Sequence, residues 1–504
     1  MKKIIYTIFA ILTLGLSTFA QLQAQNDPVN MFTLRKLVKE TPDQKDKILS
    51  QANEILSQPN GARLAISQYS QVAGMLLDAG IYLDNAETFA KKGLALCQLD
   101  KFIESSKEVF KKNNAPIPTD EAIAQEFTTN KARLLGILGR IQIKSGKLSE
   151  AETTLKEALK LNSMDTATAV SLSDLAEKKG DNSAAFNYLI PAVFSIGVTK
   201  EFNDRMERVY QKSNGGKADG LDELLDKKFH EAFPYKSEPY KPTDKRTNRT
   251  VLAELFTGAG CSPCVIADLA YDVILQRYKR QNFAVLVYHV HNPRPDPLAN
   301  ATTTDRSKFY LVRGVPAVTF DGDFTGESIG GNVWEKAKLR YEEFTAKIDK
   351  KLETLPGADL KLNISKEGSL VKVKATVDKF KMPSENLKLH IVLAEDLIKY
   401  VGENGIRFHP FVVRSMETPD AKGLTVDATK ANSFEYTFDV AKISDDLRIY
   451  SDEFEKNPPK EFKYGEAKFR KKMFAIDEKN LTVVAFVQDE KTKEVLQTVY
   501  FKVK

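Results

Sequence analysis

The stretch AELFTGAGCSPCVIADLAYD, from Ala253 to Asp272, holds two of the chain's three cysteines. The apolar run TVLAELFTG before them (Thr250 to Gly258) has the length and content of a buried strand. It breaks at Gly258 and Gly260, and CSPCVIADLAYDVILQRY then takes the helical period, with Val265, Leu269, Val273 and Ile274 on one side. Cys261 is therefore expected at a helix N-terminus and Cys264 one turn inside. Pro263 suits that first turn, where a missing N–H costs little. On residue types alone the pair fits a redox couple, half of a metal site or a structural disulfide.

The segments that follow narrow the choice. NFAVLVYHVHN (Asn282 to Asn292) reads as a second strand and ATTTDRSKFYLVRG (Ala301 to Gly314) as a short helix. VPAVTFDGDFTG (Val315 to Gly326) reads as a third strand ending in a hairpin turn at Asp321-Gly322, and NVWEKAKLRYEEFTAKIDKKLETL (Asn332 to Leu355) as a long amphipathic helix. Strand, Cys-x-x-Cys opening a helix, strand, helix, Val-Pro before a strand and a closing helix together resemble the thioredoxin fold, over residues 249–355. Cys261-Ser262-Pro263-Cys264 is similar to that family's active site, and Val315-Pro316 to its cis-proline loop.

The chemistry accounts for these residue types. A thiolate, not a thiol, attacks a disulfide. Orphan N–H groups and the partial positive charge at a helix N-terminus stabilise a thiolate at Cys261, the expected nucleophile. Cys264 is the expected resolving thiol. The resemblance implies a cis bond before Pro316, with Gly314, Val315 and Pro263 bordering a substrate strand held by β-pairing. It also implies a buried acid that moves the resolving thiol's proton. Glu254 is the candidate, although its spacing to Cys261 is one residue longer than the family's and a surface position is the other reading.

The chain departs from the family pattern in two places. Gly260 stands where thioredoxins carry an aromatic residue, and the insert HNPRPDPLANATTTD is polar and proline-rich. His289 and His291 share one face of the second strand and raise a Cys2His2 alternative. Their spacing does not resemble a zinc finger, so neither a metal nor any other cofactor is expected.

The chain has 504 residues, enough for two to four domains, and is 42% hydrophobic. Its 74 basic and 68 acidic residues leave a net charge of +6, with no basic stripe interleaved with aromatics, so nucleic acid is not indicated. The opening MKKIIYTIFAILTLGLSTFA reads as a signal peptide over residues 1–20, and the style of the leader looks bacterial. It implies a periplasmic, secreted or outer-membrane-associated protein. No later segment is long and apolar enough to span a membrane.

Residues 26–235 read helical throughout. LGRIQIKSGKLSEAETTLKEALKLN (Leu138 to Asn162) echoes LSDLAEKKGDNSAAFNYLIPAVFSI (Leu172 to Ile196) at an offset of 34, carrying Gly146 onto Gly180 and Ala151 onto Ala185. This resembles tetratricopeptide repeats and implies a surface for a protein partner. Cys97, on the apolar side of a predicted helix, reads as a core thiol. Residues 236–248 read as a linker.

Residues 357–504 hold six alternating segments, among them LVKVKATVD, LKLHIVLAED and LTVVAFVQD, which suggest an antiparallel, immunoglobulin-like β-sandwich. NGIRFHPFVVRSM (Asn404 to Met416) and the segment Leu481 to Val499 resemble the C-terminal part of bacterial Omp28-type surface proteins. His409 and Arg414 read as loop or edge-strand residues.

The expected architecture is multidomain: an α-helical repeat region, an α/β thioredoxin fold and an all-β sandwich. The expected function is thiol-disulfide exchange on protein disulfides or dithiols. The alternative is a surface or periplasmic binding and assembly protein that uses the thioredoxin-like part as a scaffold.

Overall fold

The computed structural model describes residues 29–58, 61–324, 334–381, 383–418, 420–460, 462 and 465–504, so the expected leader lies outside the described residues. Two compact units emerge: Met1–Val193 with Lys200–Leu221, and Phe194–Thr199 with Asp222–Lys504. The described part of the first is helical and the second is built on sheets.

In the first unit run α1 (Val29–Glu40), α2 (Lys45–Ser57), α3 (Ala62–Ala79), α4 (Leu83–Ala95), α5 (Leu99–Lys112), α6 (Asp120–Lys144), α7 (Leu148–Leu161), α8 (Thr166–Lys178), α9 (Asn182–Leu189) and α10 (Lys200–Ser213). Gly80, Gly146 and Gly180 follow α3, α6 and α8 with φ of 69°, 80° and 80°. That left-handed conformation suits glycine and reverses the chain into the next helix. Ala151, Leu155, Leu172, Ala185 and Leu189 are buried where the sequence offset aligns them, so the repeated positions are core positions. Cys97 is half-buried against this core, and burial pushes its thiol up to about 11.

The helix α11 (Leu221–Ala232) belongs almost wholly to the second unit, which shifts the expected helical boundary at residue 235. Charge is the reason: Asp222 and Asp226 pair with both Lys399 and Arg407. Residues 236–248 contain no helix or strand, yet the Tyr240 ring packs at a tilt against Tyr278 and Arg246 donates to Asn282.

The second unit continues with β1 (Val251–Thr257), α12 (Val265–Arg277), β2 (Phe283–His289), α13 (Ala301–Phe309), β3 (Ala317–Phe320), β4 (Asp323–Phe324) and α14 (Ala337–Leu352). After these come β5 (Asp359–Glu367), β6 (Leu370–Asp378), β7 (Leu387–Lys399), β8 (Phe408–Met416), β9 (Leu424–Thr425), β10 (Asn432–Asp439), α15 (Val440–Lys456), β11 (Leu481–Asp489) and β12 (Val495–Lys502). One nine-stranded mixed sheet has the order β12-β11-β7-β8-β2-β1-β3-β4, with β9 beside β7. A second sheet, β10-β6-β5, is antiparallel. Val371, Val373 and Ala375 of the small sheet share one apolar cluster with Leu389 and Ile391 of β7 and with Val483 and Ala485 of β11.

The division expected at residues 355–357 therefore does not separate two sheets. β1 and β2 are buried at every position, so neither can serve as an open edge. β3 covers one side of β1, and β8, from the C-terminal region, pairs in parallel with β2 at Val287 and Val412. The same region includes α15, a 17-residue helix that the all-β expectation missed. Its apolar side, Ile443, Leu447 and Phe454, is buried. His409 and Arg414 are likewise buried, not at an edge: Arg414 Nε lies 3.1 Å from Glu395 and its Nη2 donates to the Met473 carbonyl.

The two faces of β1 differ. Val251, Ala253 and Leu255 pack with α12 and α14 residues, whereas Leu252 and Phe256 pack with Ala284, Val413 and Phe486. Glu254 shares the second face and is 0% exposed. Arg306 of α13 grips it with Nε–Oε1 at 2.7 Å and Nη2–Oε2 at 2.9 Å, while Tyr310 donates at 2.6 Å. Gln488 of β11 accepts from the same guanidinium at 2.7 Å. Removing one partner leaves an uncompensated buried charge. Arg306→Met should cost about 3–5 kcal/mol in urea unfolding, and Glu254→Gln with Arg306→Met should recover most of that loss.

Candidate functional site

The local sequence builds the turn after β1 from small residues because other chain segments press against it. A Cβ at Gly258 would lie 2.9 Å from the Asn292 carbonyl oxygen, and one at Gly260 3.2 Å from the Arg294 Cβ. The position that carries an aromatic in the resembled family is thus crowded here by Arg294. Cys261 N donates back to Gly258 O, and Ser262–Cys264 form one 3-10 turn that leads into α12.

Cys261 and Cys264 form a disulfide. The Val315–Pro316 bond is cis, and Cys261 Sγ lies 3.6 Å from the Val315 carbonyl oxygen. Pro263 is exposed and the backbone at Gly314 faces open space. Leu311, three residues before Gly314, is 77% exposed. The Cys261–Cys264 turn, Gly314 and Val315 therefore come together, joined by a proximity between positions more than fifty residues apart. Glu254 does not join them, because its side chain leaves β1 on the face opposite α12.

Cys261 is 1% exposed and Cys264 0%. Part of the cover over Cys261 is a strap between β7 and β8. Asn404, fully buried, donates through its side-chain nitrogen to the carbonyls of Gly258 and Cys261, each at 3.3 Å. Its backbone N–H goes to Ala259 O and its Oδ1 accepts from Ile406 N. Arg294 Nη1 lies 2.5 Å from Glu403, which also meets Arg470 at 3.3 Å. One carboxylate thereby ties the insert after β2, the strap and the segment after α15 together.

Beneath the turn sits a buried polar cluster. His289 Nδ1 and Asp296 Oδ2 are 2.8 Å apart, and that carboxylate also accepts from the N–H groups of Ala259 and Leu298. Burial alone would raise the Asp296 carboxyl, but His289 and these N–H groups outweigh it and hold it below the usual range. With Asp296 ionised, His289 carries its proton on Nδ1, and its Nε2 meets no hydrogen-bond partner among the described residues. His409 packs edge-on against it with ring centroids 5.1 Å apart. His291 instead stacks on Phe454 at 3.8 Å and meets Tyr450 Oη through Nε2 at 3.0 Å. Both histidines nevertheless meet Asp296: its side chain holds His289 and its backbone N–H donates to His291 Nδ1 at 2.9 Å, while His291 itself lies two residues beyond the end of β2. Among the described residues no group of three or more His, Cys, Asp or Glu could hold a metal.

Sequence reasoning missed Asp268 and Asn404. Asp268 had a signal: it is a carboxylate four residues after Cys264, set among the apolar Val265, Ile266, Ala267, Leu269 and Ala270 in the first half of the helix. Thr257 Oγ1 donates to its two oxygens at 2.9 and 3.2 Å. Asn404 has no local signal, because its role exists only once the strap meets a turn about 140 residues earlier.

No family model and no curated protein matches the chain. Among solved structures the chain is similar to Pseudomonas fluorescens alkylpurine DNA glycosylase AlkC bound to DNA containing an abasic site analog, at 8% identity and a TM-score of 0.18. That likeness covers 94% of this chain and 96% of the other, and its score is too low to carry an argument. Among the described residues no helix is long and apolar enough to cross a membrane.

The strap makes a measurable demand. Asn404→Ala removes the donor to two buried carbonyls and should cost about 1–3 kcal/mol. The disulfide of the variant should be reduced by dithiothreitol at least about tenfold faster than wild type, because even 1.4 kcal/mol of easier opening is tenfold. Equal rates would mean that the strap does not limit access.

Burial also pushes His291 down to about 4 and His409 down to about 3, below the ordinary histidine value near 6.5. Each is kept neutral in the fold, so the stability each contributes is present above about pH 6.5 and is lost as pH falls through the folded values. His291→Gln should unfold with a shallower loss of midpoint between about pH 6.5 and 4 than wild type, read by thermal melts at matched ionic strength.

Proposed function

We propose that the protein is an exported thiol-disulfide oxidoreductase of thioredoxin type, with Cys261 as nucleophile and Cys264 as resolving thiol. The observation that carries this reading is the convergence of three features on one sulfur. Cys261 sits at a strand-to-helix turn, Cys264 bridges to it from the end of the 3-10 turn that precedes α12, and the Val315 carbonyl lies 3.6 Å from Cys261 Sγ. The parallel pairing of β1 with β2 and the antiparallel pairing of β1 with β3 support a thioredoxin-like core. The helix pairs with left-handed glycines support tetratricopeptide-like repeats, and the two sheets sharing one apolar core support an immunoglobulin-like sandwich. The leader-like opening supports export to the periplasm or beyond, and the Omp28-type likeness fits an outer-membrane or secreted location.

In this reading the reduced pair meets a protein disulfide laid along Gly314 and Val315. The Cys261 thiolate attacks one substrate sulfur, forms a mixed disulfide and expels the other as a thiolate. Cys264 then loses its proton and attacks Cys261 Sγ. The Cys261–Cys264 bond forms, the bond to substrate breaks, and two electrons have passed from the dithiol to the substrate. Run backwards, the same steps oxidise a substrate dithiol.

A second reading draws on the burial of both sulfurs. In it the bridge is structural and the chain is a binding or assembly protein. Two measurements on the full chain separate the readings. Cys264→Ser should trap a mixed disulfide through Cys261 with protein partners. The reduction potential of the pair should fall between roughly −270 and −120 mV, the range of thioredoxin-type catalysts. No trapped adduct together with a potential below about −300 mV would establish the scaffold reading.

A further inference from the structure

We propose that Asp268, not Glu254, accepts the proton of Cys264 when the resolving thiol attacks the mixed disulfide. The proposal rests on the oxidoreductase reading and adds a catalytic residue to it.

Parity along β1 comes first. Side chains of a strand alternate between faces, so an offset of one residue moves a group to the other side of the sheet. Val251, Ala253 and Leu255 face α12, and Thr257 continues that row. Glu254 belongs to the other row and is fully used there by Arg306 and Tyr310. An acid placed one residue off the α12 row cannot serve a thiol on α12.

Helix geometry comes second. Cys264 has helical backbone angles and α12 follows without interruption. Residues four apart on a helix are neighbours, and Cβ bonds tilt toward the N-terminus. Asp268 therefore lies beside Cys264 and leans toward it. Thr257 fixes the carboxyl from the strand side through both oxygens.

The charge around Asp268 comes third. The titratable groups that act on it are both acidic: Asp272, one turn on along α12, whose own carboxyl burial raises to about 7, and Asp296 beneath the turn. β1 presents the neutral Thr257 hydroxyl. From α14, Tyr341, Phe344 and Ile348 pack in the same core, and Asp349 is held by Arg277 at the far end of α12. The short 3-10 turn before α14 contributes the buried Trp334. No cation is paired with Asp268 among the described residues. Burial first, and then the two acids, hold its carboxyl well above the usual range against the Thr257 hydrogen bond. A carboxylate in that setting is a strong base for a neighbouring thiol, whereas Glu254, held low by Arg306, is a weak one.

The step balances. The Cys264 S–H proton passes to Asp268, the thiolate attacks Cys261 Sγ, the bond between Cys261 and the substrate sulfur breaks, and the substrate leaves as a thiolate. Asp268 then releases the proton to the leaving thiolate or to water. No oxidant is needed beyond the protein disulfide itself.

The test uses the reduced full chain and glutathione disulfide, with the fast capture by Cys261 and the slower release by Cys264 followed separately by quenching and mass analysis. In Asp268→Asn, capture should stay within about twofold of wild type. Release should slow at least about tenfold near neutral pH, the lower end of what a positioned base supplies being larger still. Its rate should climb with pH in proportion to hydroxide, without the wild-type plateau. Asp268→Glu should recover part of the release rate, and Glu254→Gln, provided it folds, should leave it unchanged. Wild-type release kinetics and pH profile in Asp268→Asn would overturn the assignment to Asp268 alone. Failure of the wild-type protein to capture glutathione at all would overturn the oxidoreductase reading and this inference with it.

Discussion

β1 has no solvent-facing side, so every one of its seven residues must be matched by a neighbour. That single demand organises the second unit. The face toward α12 and α14 is closed by small and aliphatic groups, and it ends at Thr257 beside the disulfide turn. The opposite face buries a full carboxylate, and the fold satisfies it with a guanidinium from α13 that also reaches β11. A strand with two buried faces also needs a covered flank beyond β2, and the C-terminal half supplies it through β8. Sheet continuity across the chain thus follows from burying charge and backbone at one strand.

The turn that carries the disulfide inherits this arrangement. The strap that holds Asn404 is the connection between β7 and β8, strands fixed by the same sheet. The insert after β2 reaches over Gly260 and is tied to the strap through Glu403. The sulfur pair is therefore framed by segments that lie far apart in sequence, and its burial is a property of the whole second unit and not of the Cys-x-x-Cys motif.

Much of the element pattern was legible in the sequence. The strand through Leu255, the turn at Asp321-Gly322 and the alternating segments near Val373 and Val483 stand where periodicity puts them, whereas the helix expected to open at Cys261 with Cys264 one turn inside becomes α-helical only at Val265, after a 3-10 turn over Ser262–Cys264. At Gly322 a side chain would lie 1.6 Å from the Lys493 carbonyl, so the turn residue also answers a packing need that no local signal carries. What escaped was long-range. Glu254 reads from the sequence either as a buried acid or as a surface residue, and only sheet parity says which neighbours it meets. α15 escaped because its apolar positions, Ile443, Leu447 and Phe454, are diluted by a mostly polar helix. The parallel pairing of β8 with β2 leaves no mark in either segment.

The position of Asn404 has a temporal side. During synthesis at roughly 5–20 residues per second, the strap emerges about 7–28 s after Cys264. For that interval the two thiols belong to a chain whose cover does not yet exist. Oxidants and partner thiols meet them then under conditions unlike those of the finished protein, so the redox state of the pair can be set by the order in which the chain is made before it is guarded by the fold.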